Sequence, residues 1–292
     1  MLRTRIVTAL VLLSTFFAAL FYLPPTGWAI FATLTAAVAA WEWGTLMGVQ
    51  RNARFALAIG FVLICLVIGD LEPAALGLTE GSPEAAWRFG RWLYFPAAAF
   101  WLFAAPSWMR YRWPLTKSAF GLVVGLLVIL PPWLALVQLR QAGALTLLAV
   151  MAIVWLADIA AYVFGRRFGK HKLAPKISPG KTWEGALGAV GAVIVYGFVL
   201  APALPAVLAA NYALLLVILV VVTAIGIIGD LFESLLKRQA GLKDSSNFLP
   251  GHGGVLGGKR RASGKEMARP CTLIRPFALE GGFERVVHHC GV

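Results

Sequence analysis

The sequence predicts an all-α protein, a polytopic transmembrane helix bundle of about eight spans. Three observations carry that class. Of 292 residues, 60% are hydrophobic and 13% charged, against roughly half apolar and a quarter charged in a soluble domain. Apolar runs reach the roughly 20 residues that a helix needs to cross a hydrocarbon core of about 30 Å. Eleven Trp and eighteen Phe suit aromatic belts at the two membrane interfaces. The net charge of +13 is read as loop charge that orients the protein and meets anionic lipid. Nucleic acid is not an expected partner.

Eight apolar segments follow in order, at about 6–22, 27–41, 55–69, 93–105, 118–139, 143–164, 185–208 and 211–229. The first follows Arg3 and Arg5 and has no small-x-small cleavage site, so it is expected to remain as a helix. Pro24, Pro25 and Gly27 turn the chain into the second. The fourth is short, and Pro131 and Pro132 are expected to kink the fifth. Cys65 falls within the third as a packing residue. With Cys271 and Cys290 it makes neither a metal spacing nor a disulfide framework.

Loop charge gives the orientation. With a cytoplasmic N-terminus, the inner loops 42–54, 106–117 and 165–184 carry Arg51 and Arg54 against Glu42, then Arg110, Arg112 and Lys117, then six basic residues against Glu184. The outer loops hold Asp70, Glu72, Glu80 and Glu84 against Arg88 and Arg91, then Arg140. Lys and Arg thus gather on one side, which predicts both termini and the polar cluster after residue 229 in the cytoplasm. The membrane domain is expected over 1–256, with N-terminal spans in 1–140 and a catalytic part in 143–256. Residues 257–292 carry ten charged residues in 36 and no span-length apolar run. They are expected to be a disordered basic tail.

The chemistry concentrates where the last apolar run meets GDLFESLLKRQAGLKDSSNFLPGHGG, residues 229–254. Asp230, Glu233, Ser234 and Lys237 recur at i, i+3, i+4 and i+7, so a helix puts them on one face. A stripe with two carboxylates, a hydroxyl and an ammonium can hold a hard divalent cation shared with phosphates. Lys237 and Arg238 can take phosphate oxygens. A solvated amphipathic helix with i,i+4 pairing is the bland alternative. Gly251, His252, Gly253 and Gly254 form a turn whose amides can approach an anion, and His252 can donate to phosphate or relay a proton. Asp158 falls inside the sixth span, where a carboxylate is costly and usually functional. Ser178, Lys181 and Thr182 precede a helix and can form an anion site. Trp183 suits interfacial anchoring.

Together these elements resemble the phosphatidate cytidylyltransferase, or CDP-diacylglycerol synthase, family. Its signature looks like S-x-L-K-R-x₄-K-D-x₅-P-G-H-G-G-x-x-D-R-x-D. This chain supplies Ser234, Leu235, Leu236, Lys237 and Arg238, then Lys243 and Asp244, then Pro250 to Gly254. Residues 229–233, Asp158 with Gly165, Arg166 and Gly169, and the stretch 176–184 are also similar to the family. After Leu256 the pattern calls for Asp-Arg-x-Asp, and the chain reads Gly257, Gly258, Lys259, Arg260. The composition changes at the same point, as a shifted reading frame or recombined 3′ end would produce, with a natural divergent tail as the alternative.

The resemblance implies transfer of CMP from CTP to phosphatidic acid, giving CDP-diacylglycerol and pyrophosphate for phospholipid synthesis. It implies catalytic roles for Asp230, Lys237, Arg238, Lys243, Asp244 and His252, and substrate contacts at Ser178, Lys181, Thr182, Ser234, Gly253 and Gly254. Mg²⁺ would bind Asp230, with Asp158 and Glu233 as further candidate ligands and room for a second cation. CTP, phosphatidic acid and membrane lipids are the implied partners, with a homodimer as an open arrangement. The implied location is a bacterial-type inner membrane with the site on the cytoplasmic face. The altered residues after Leu256 would leave the metal site incomplete and activity impaired. A CTP-dependent lipid-alcohol kinase is the rival enzyme. An ion-coupled transporter using Asp158 is the rival of another class.

Overall fold

The computed structural model describes residues 2–79, 83–204 and 206–242. Lys243, Asp244, His252, Gly253, Gly254 and the proposed tail therefore lie outside the described residues. The chain builds α1 (Leu2–Tyr22), α2 (Pro25–Leu46), α3 (Arg51–Leu71), α4 (Pro83–Ala99), α5 (Ala105–Tyr111), α6 (Ala119–Gln141) and α7 (Ala144–Phe168). A two-stranded hairpin follows, β1 (Lys172–Ala174) and β2 (Ser178–Thr182), then α8 (Trp183–Leu200), α9 (Ala206–Ala210) and α10 (Tyr212–Gln239). The all-α bundle class holds. Among the described residues six helices, α2, α3, α6, α7, α8 and α10, are long and apolar enough to cross a membrane. The expectation of about eight spans adds α1, whose apolar part is the shorter Leu10–Tyr22, and the rod formed by α4, a π-helical turn at Phe100–Ala104 and α5.

Several boundaries differ from the sequence reading, each for a local reason. The second segment does not end at residue 41. Ala39, Glu42, Trp43 and Leu46 form one buried face, so α2 continues to Leu46 and takes Glu42 out of the loop and into the helix. It stops where Gly48 adopts φ +69° and Val49 N–H donates to the Gly44 carbonyl, a left-handed cap that glycine accepts without strain. The seventh segment does not run to 208. Pro202 lies in a 3₁₀ turn over Ala201–Ala203 that ends α8. The loop 165–184 contains the hairpin, in which Lys172 pairs with Thr182 and Ala174 with Ser178.

The 28 residues of α10 span about 42 Å at 1.5 Å per residue, well beyond a hydrocarbon core of about 30 Å. Its last turns therefore carry the polar stripe out of the apolar layer on a continuous helix. Buried Phe232 anchors that stretch. Its ring meets Phe100, Trp101 and Trp108 edge-on, with centroids 5.5–5.7 Å apart. The π-helical turn supplies two of those rings, in keeping with the concentration of π-bulges near functional sites. Gly241 closes the helix at φ +66°, with Leu242 N–H donating to the Lys237 carbonyl.

The long-range hydrogen bonds sort the segment ends into two groups. At one end Gln239 donates through Nε2 to the carbonyls of Trp113 (2.8 Å) and Arg112 (3.3 Å), and Lys181 meets Asp230. At the other, Arg140 Nε donates to the Leu20 carbonyl at 2.7 Å and Gln141 Nε2 to the Ala75 carbonyl at 3.1 Å.

Candidate active site

The expected stripe forms on α10. Lys237 Nζ lies 2.8 Å from Glu233 Oε1, one helical turn away. Asp230 stands one turn earlier. The Ser234 hydroxyl donates to the Asp230 carbonyl at 2.8 Å, so its proton is spent within the helix. Arg238 is exposed beside the stripe.

The second half of the site comes from the hairpin. Lys181 on β2 places Nζ 2.5 Å from Asp230 Oδ2, with the two side chains 16% and 31% exposed. This pair joins motifs 49 positions apart in sequence (230 minus 181). Its geometry follows from how the hairpin is fastened. Thr182 is buried, caps α8 and accepts the Gly185 N–H through Oγ1 at 3.2 Å. Its side chain also lies against Gly165, where an added Cβ would stand 3.0 Å from Oγ1. At Gly185 an added Cβ would come within 2.7 Å of the Ala161 carbonyl oxygen, so glycine there lets α8 lie tight against α7. His171 closes the hairpin from outside. Its Nδ1 is 2.7 Å from Glu184 Oε1, and its backbone N–H reaches the same carboxylate at 3.1 and 3.3 Å. Lys181 is thus carried by a short, doubly tethered strand.

The remaining expected residues divide as follows. Ser178 is half-buried at the start of β2, paired with Ala174. The Thr182 hydroxyl serves the helix cap. Asp158 lies on α7, ten residues before its end at Phe168 (168 minus 158). Asp158, Glu233 and Asp230 do not gather into one ligand set: among the described residues no group of three His, Cys, Asp or Glu side chains could hold a metal ion. Asp230 offers a carboxylate oxygen, the donor type a hard cation prefers, and the Lys181 ammonium occupies it.

One carboxylate escaped the sequence reading. Glu42, counted there as a loop charge, has 0% of its surface exposed. It lies within electrostatic reach of Glu233, as do Asp230 and Lys237. A glutamate at the edge of an apolar run reads as the end of a span, and only the continued burial of Trp43 and Leu46 indicates otherwise.

The polar stripe on the end of a long apolar helix thus faces the lysine of a strand tethered by Thr182 and His171. The chain belongs to the cytidylyltransferase family, whose model matches residues 3–257, and is a nucleotidyltransferase. It is 39% identical over 265 residues to a phosphatidate cytidylyltransferase of Pseudomonas aeruginosa, covering 88% of this chain and 91% of that protein. To a phosphatidate cytidylyltransferase of Haemophilus influenzae it is 32% identical over 274 residues, 88% of this chain and 93% of that protein. A phosphatidate cytidylyltransferase of Staphylococcus epidermidis shares 45% identity over 119 residues, 41% of this chain and 45% of that protein.

Proposed function

We propose that this chain is a phosphatidate cytidylyltransferase, acting at the cytoplasmic face of a bacterial inner membrane. In the reaction a phosphate oxygen of phosphatidic acid attacks the α-phosphorus of CTP. A new P–O–P bond forms, the bond from the α-phosphorus to the bridging oxygen breaks, and pyrophosphate leaves with the electron pair. Such chemistry rests on holding two anions in line and countering their charge. The observation that carries the reading is the meeting of Lys181 with Asp230, which brings two separate motifs of the sequence to one point.

Lys237 and Arg238 supply positive charge from the last turn of α10, and Lys181 supplies it from the hairpin. Lysine acts there as a compact point charge and arginine as a two-pronged donor. Asp230, with Glu233 beside it, would hold Mg²⁺, which neutralises triphosphate charge when bound. The apolar walls of α7, α8 and α10 keep the diacyl chains in the lipid phase while the headgroup phosphate reaches the stripe. Lys243, Asp244, His252, Gly253 and Gly254 belong to the same proposal through their place in the motif.

The test is transfer of label from [α-³²P]CTP into lipid in detergent micelles, with phosphatidic acid, diacylglycerol or a polyprenol as acceptor. Label entering only with phosphatidic acid is the expected result. Transfer from [γ-³²P]CTP to an alcohol would replace the reading with a lipid kinase. Asp230→Asn keeps the side chain's shape and removes its charge, and is expected to lower kcat by at least about 100-fold, the scale set by losing an electrostatic contact to developing charge. Exchanging residues 257–260 for Asp-Arg-x-Asp is expected to raise turnover, because carboxylates would replace residues that cannot ligate a hard cation.

A further inference from the structure

Two aromatic rings next to the end of the stripe have no part in the mechanism above. Tyr111 ends α5 and Trp113 lies two residues on. Their rings stack, with centroids 5.8 Å apart and planes 16° from parallel. Neither is put away in the core: Tyr111 is 65% and Trp113 46% exposed. The backbone between them is bent to bring them together. Arg112 has φ 53° and ψ 43°, and among the described residues it alone, apart from glycines, has a positive φ. A long side chain held in the left-handed region is strained, and such strain gathers at ligand clamps. The turn is fastened from two sides. The Arg112 N–H donates to the Trp108 carbonyl at 2.6 Å, and the indole N–H of buried Trp108 donates to the Trp113 carbonyl. From α10, Gln239 donates to the carbonyls of Arg112 and Trp113. The paired rings are thus tied to the turn of α10 that carries Lys237 and Arg238.

We propose that Tyr111, backed by Trp113, is the platform on which the pyrimidine base of the nucleotide stacks. The inference rests on the proposed function and assigns that site its base-binding part. Shape selects the ligand first. Among the described residues the Tyr111 ring meets one other ring, Trp113, and its remaining surface is open. A nucleobase is a flat π-system that stacks on such a ring in water, with Trp113 keeping the ring in place. Charge selects it next. Arg110 and Arg112 on the turn and Arg238 on α10 are exposed, and residues 105–118 contain no acid. That surface attracts a polyanion. Length is the third feature. Gln239 lies nine residues beyond Asp230 (239 minus 230), roughly 13.5 Å along the helix at 1.5 Å per residue. A triphosphate, a ribose and a base laid end to end cover that span. The triphosphate would follow the stripe and the base would rest on the turn. Anchoring of the two rings in the headgroup layer needs neither the strained turn nor the stacked pair.

The experiment separates the base from the phosphates. Calorimetric titration of the full-length chain in detergent, with Mg²⁺ present, gives one Kd for CTP and one for inorganic tripolyphosphate, which has no base. Tyr111→Leu keeps an apolar side chain and removes the ring. It is expected to weaken CTP binding about tenfold, the scale of losing one base–aromatic stack, and to leave tripolyphosphate binding unchanged. Tyr111→Phe keeps the ring and is expected to stay near wild type for both ligands. Trp113→Leu removes the backing ring and leaves the carbonyl that Gln239 uses, so a smaller loss confined to CTP is expected. Unchanged CTP affinity in Tyr111→Leu would overturn the proposal. Equal losses for CTP and tripolyphosphate would overturn it too, because the rings would then serve the fold or the membrane contact. A loss in Tyr111→Phe as large as in Tyr111→Leu would place the effect in the hydroxyl and not in a stack. If Tyr111→Leu does not fold, Trp113→Leu decides, and an unchanged CTP affinity there overturns the platform. A wild-type chain that binds neither ligand overturns the functional reading and the platform with it. A wild-type chain that transfers label from [α-³²P]CTP, with CTP affinity untouched by Tyr111→Leu, keeps the function and loses the platform alone.

Discussion

Lys181 and Asp230 hold each other at 2.5 Å across two elements, yet their proposed partners differ, phosphate for the lysine and a divalent cation for the aspartate. Each occupies the other's place until substrate arrives. An ammonium in contact with a carboxylate oxygen opposes a dication at the same oxygen, through competition for the position and through repulsion. Lys181→Met removes the competitor and keeps most of the side chain's bulk. Mn²⁺ binding in the absence of nucleotide, followed by electron paramagnetic resonance, is therefore expected to tighten about tenfold, as for other close charge pairs, while CTP affinity falls. Weaker Mn²⁺ binding in Lys181→Met would show that the lysine supports the cation site instead of occupying it. At this scale the sequence was legible wherever chemistry followed helical spacing: the 3.6-residue period put Asp230, Glu233 and Lys237 together correctly. It could not show that Ser234 spends its proton on the Asp230 carbonyl, that Thr182 is a buried cap, or that Glu42 is fully buried. Those depend on which way a side chain turns or on contacts between distant helices.

The hairpin is the element that converts a loop sequence into a tool. Nothing in Lys172–Thr182 has the alternating β-branched pattern of a strand, so local propensity gave no sign of it. It forms because its ends are tied: Thr182 caps α8, His171 is clamped by Glu184, and Ile177 drops into the core. Thr182→Val keeps the shape and removes the oxygen that accepts the Gly185 N–H, so it is expected to cost about 1 kcal/mol of stability, the usual value of an N-cap. Its more telling effect is positional. A loosened cap frees the strand next to Lys181, so CTP affinity is expected to fall. A thermal melt and a CTP titration check both. Unaltered CTP affinity together with the lost stability would mean that the strand holds Lys181 without the cap. The π-helical turn at Phe100–Ala104 was equally hidden, because the sequence there reads as an ordinary short apolar run.

Across the whole molecule, the segment ends fall into two sets, and the site belongs to one of them. The end of α10 bonds to the segment after α5, and β2 meets α10. The end of α1 bonds to the end of α6, which also bonds to the turn after α3. Eight alternating crossings would produce this sorting if α1 and the rod over α4 and α5 both traverse the bilayer. Most of the basic residues follow the same division, with Arg140 at the other end. Arg51, Arg54, Arg110, Arg112, Lys117, Arg166, Arg167 and Lys172 flank the helix ends assigned to the site's side. Asp70 and Glu72 flank the opposite end of α3. Positive charge is retained in the cytoplasm during insertion, so the site is expected to face it, where CTP is available. Leu78→Cys and Lys172→Cys, each in a chain whose native cysteines are replaced by serine, test this with a membrane-impermeant maleimide. Leu78 lies in the turn after α3 and Lys172 at the start of β1, and both are accessible at the surface. Whole cells are expected to label position 78, and position 172 only after the membrane is opened. Labelling of both from outside would put an odd number of crossings out of place between them. The first to re-examine would then be the rod over α4 and α5, whose apolar segment was the shortest in the sequence.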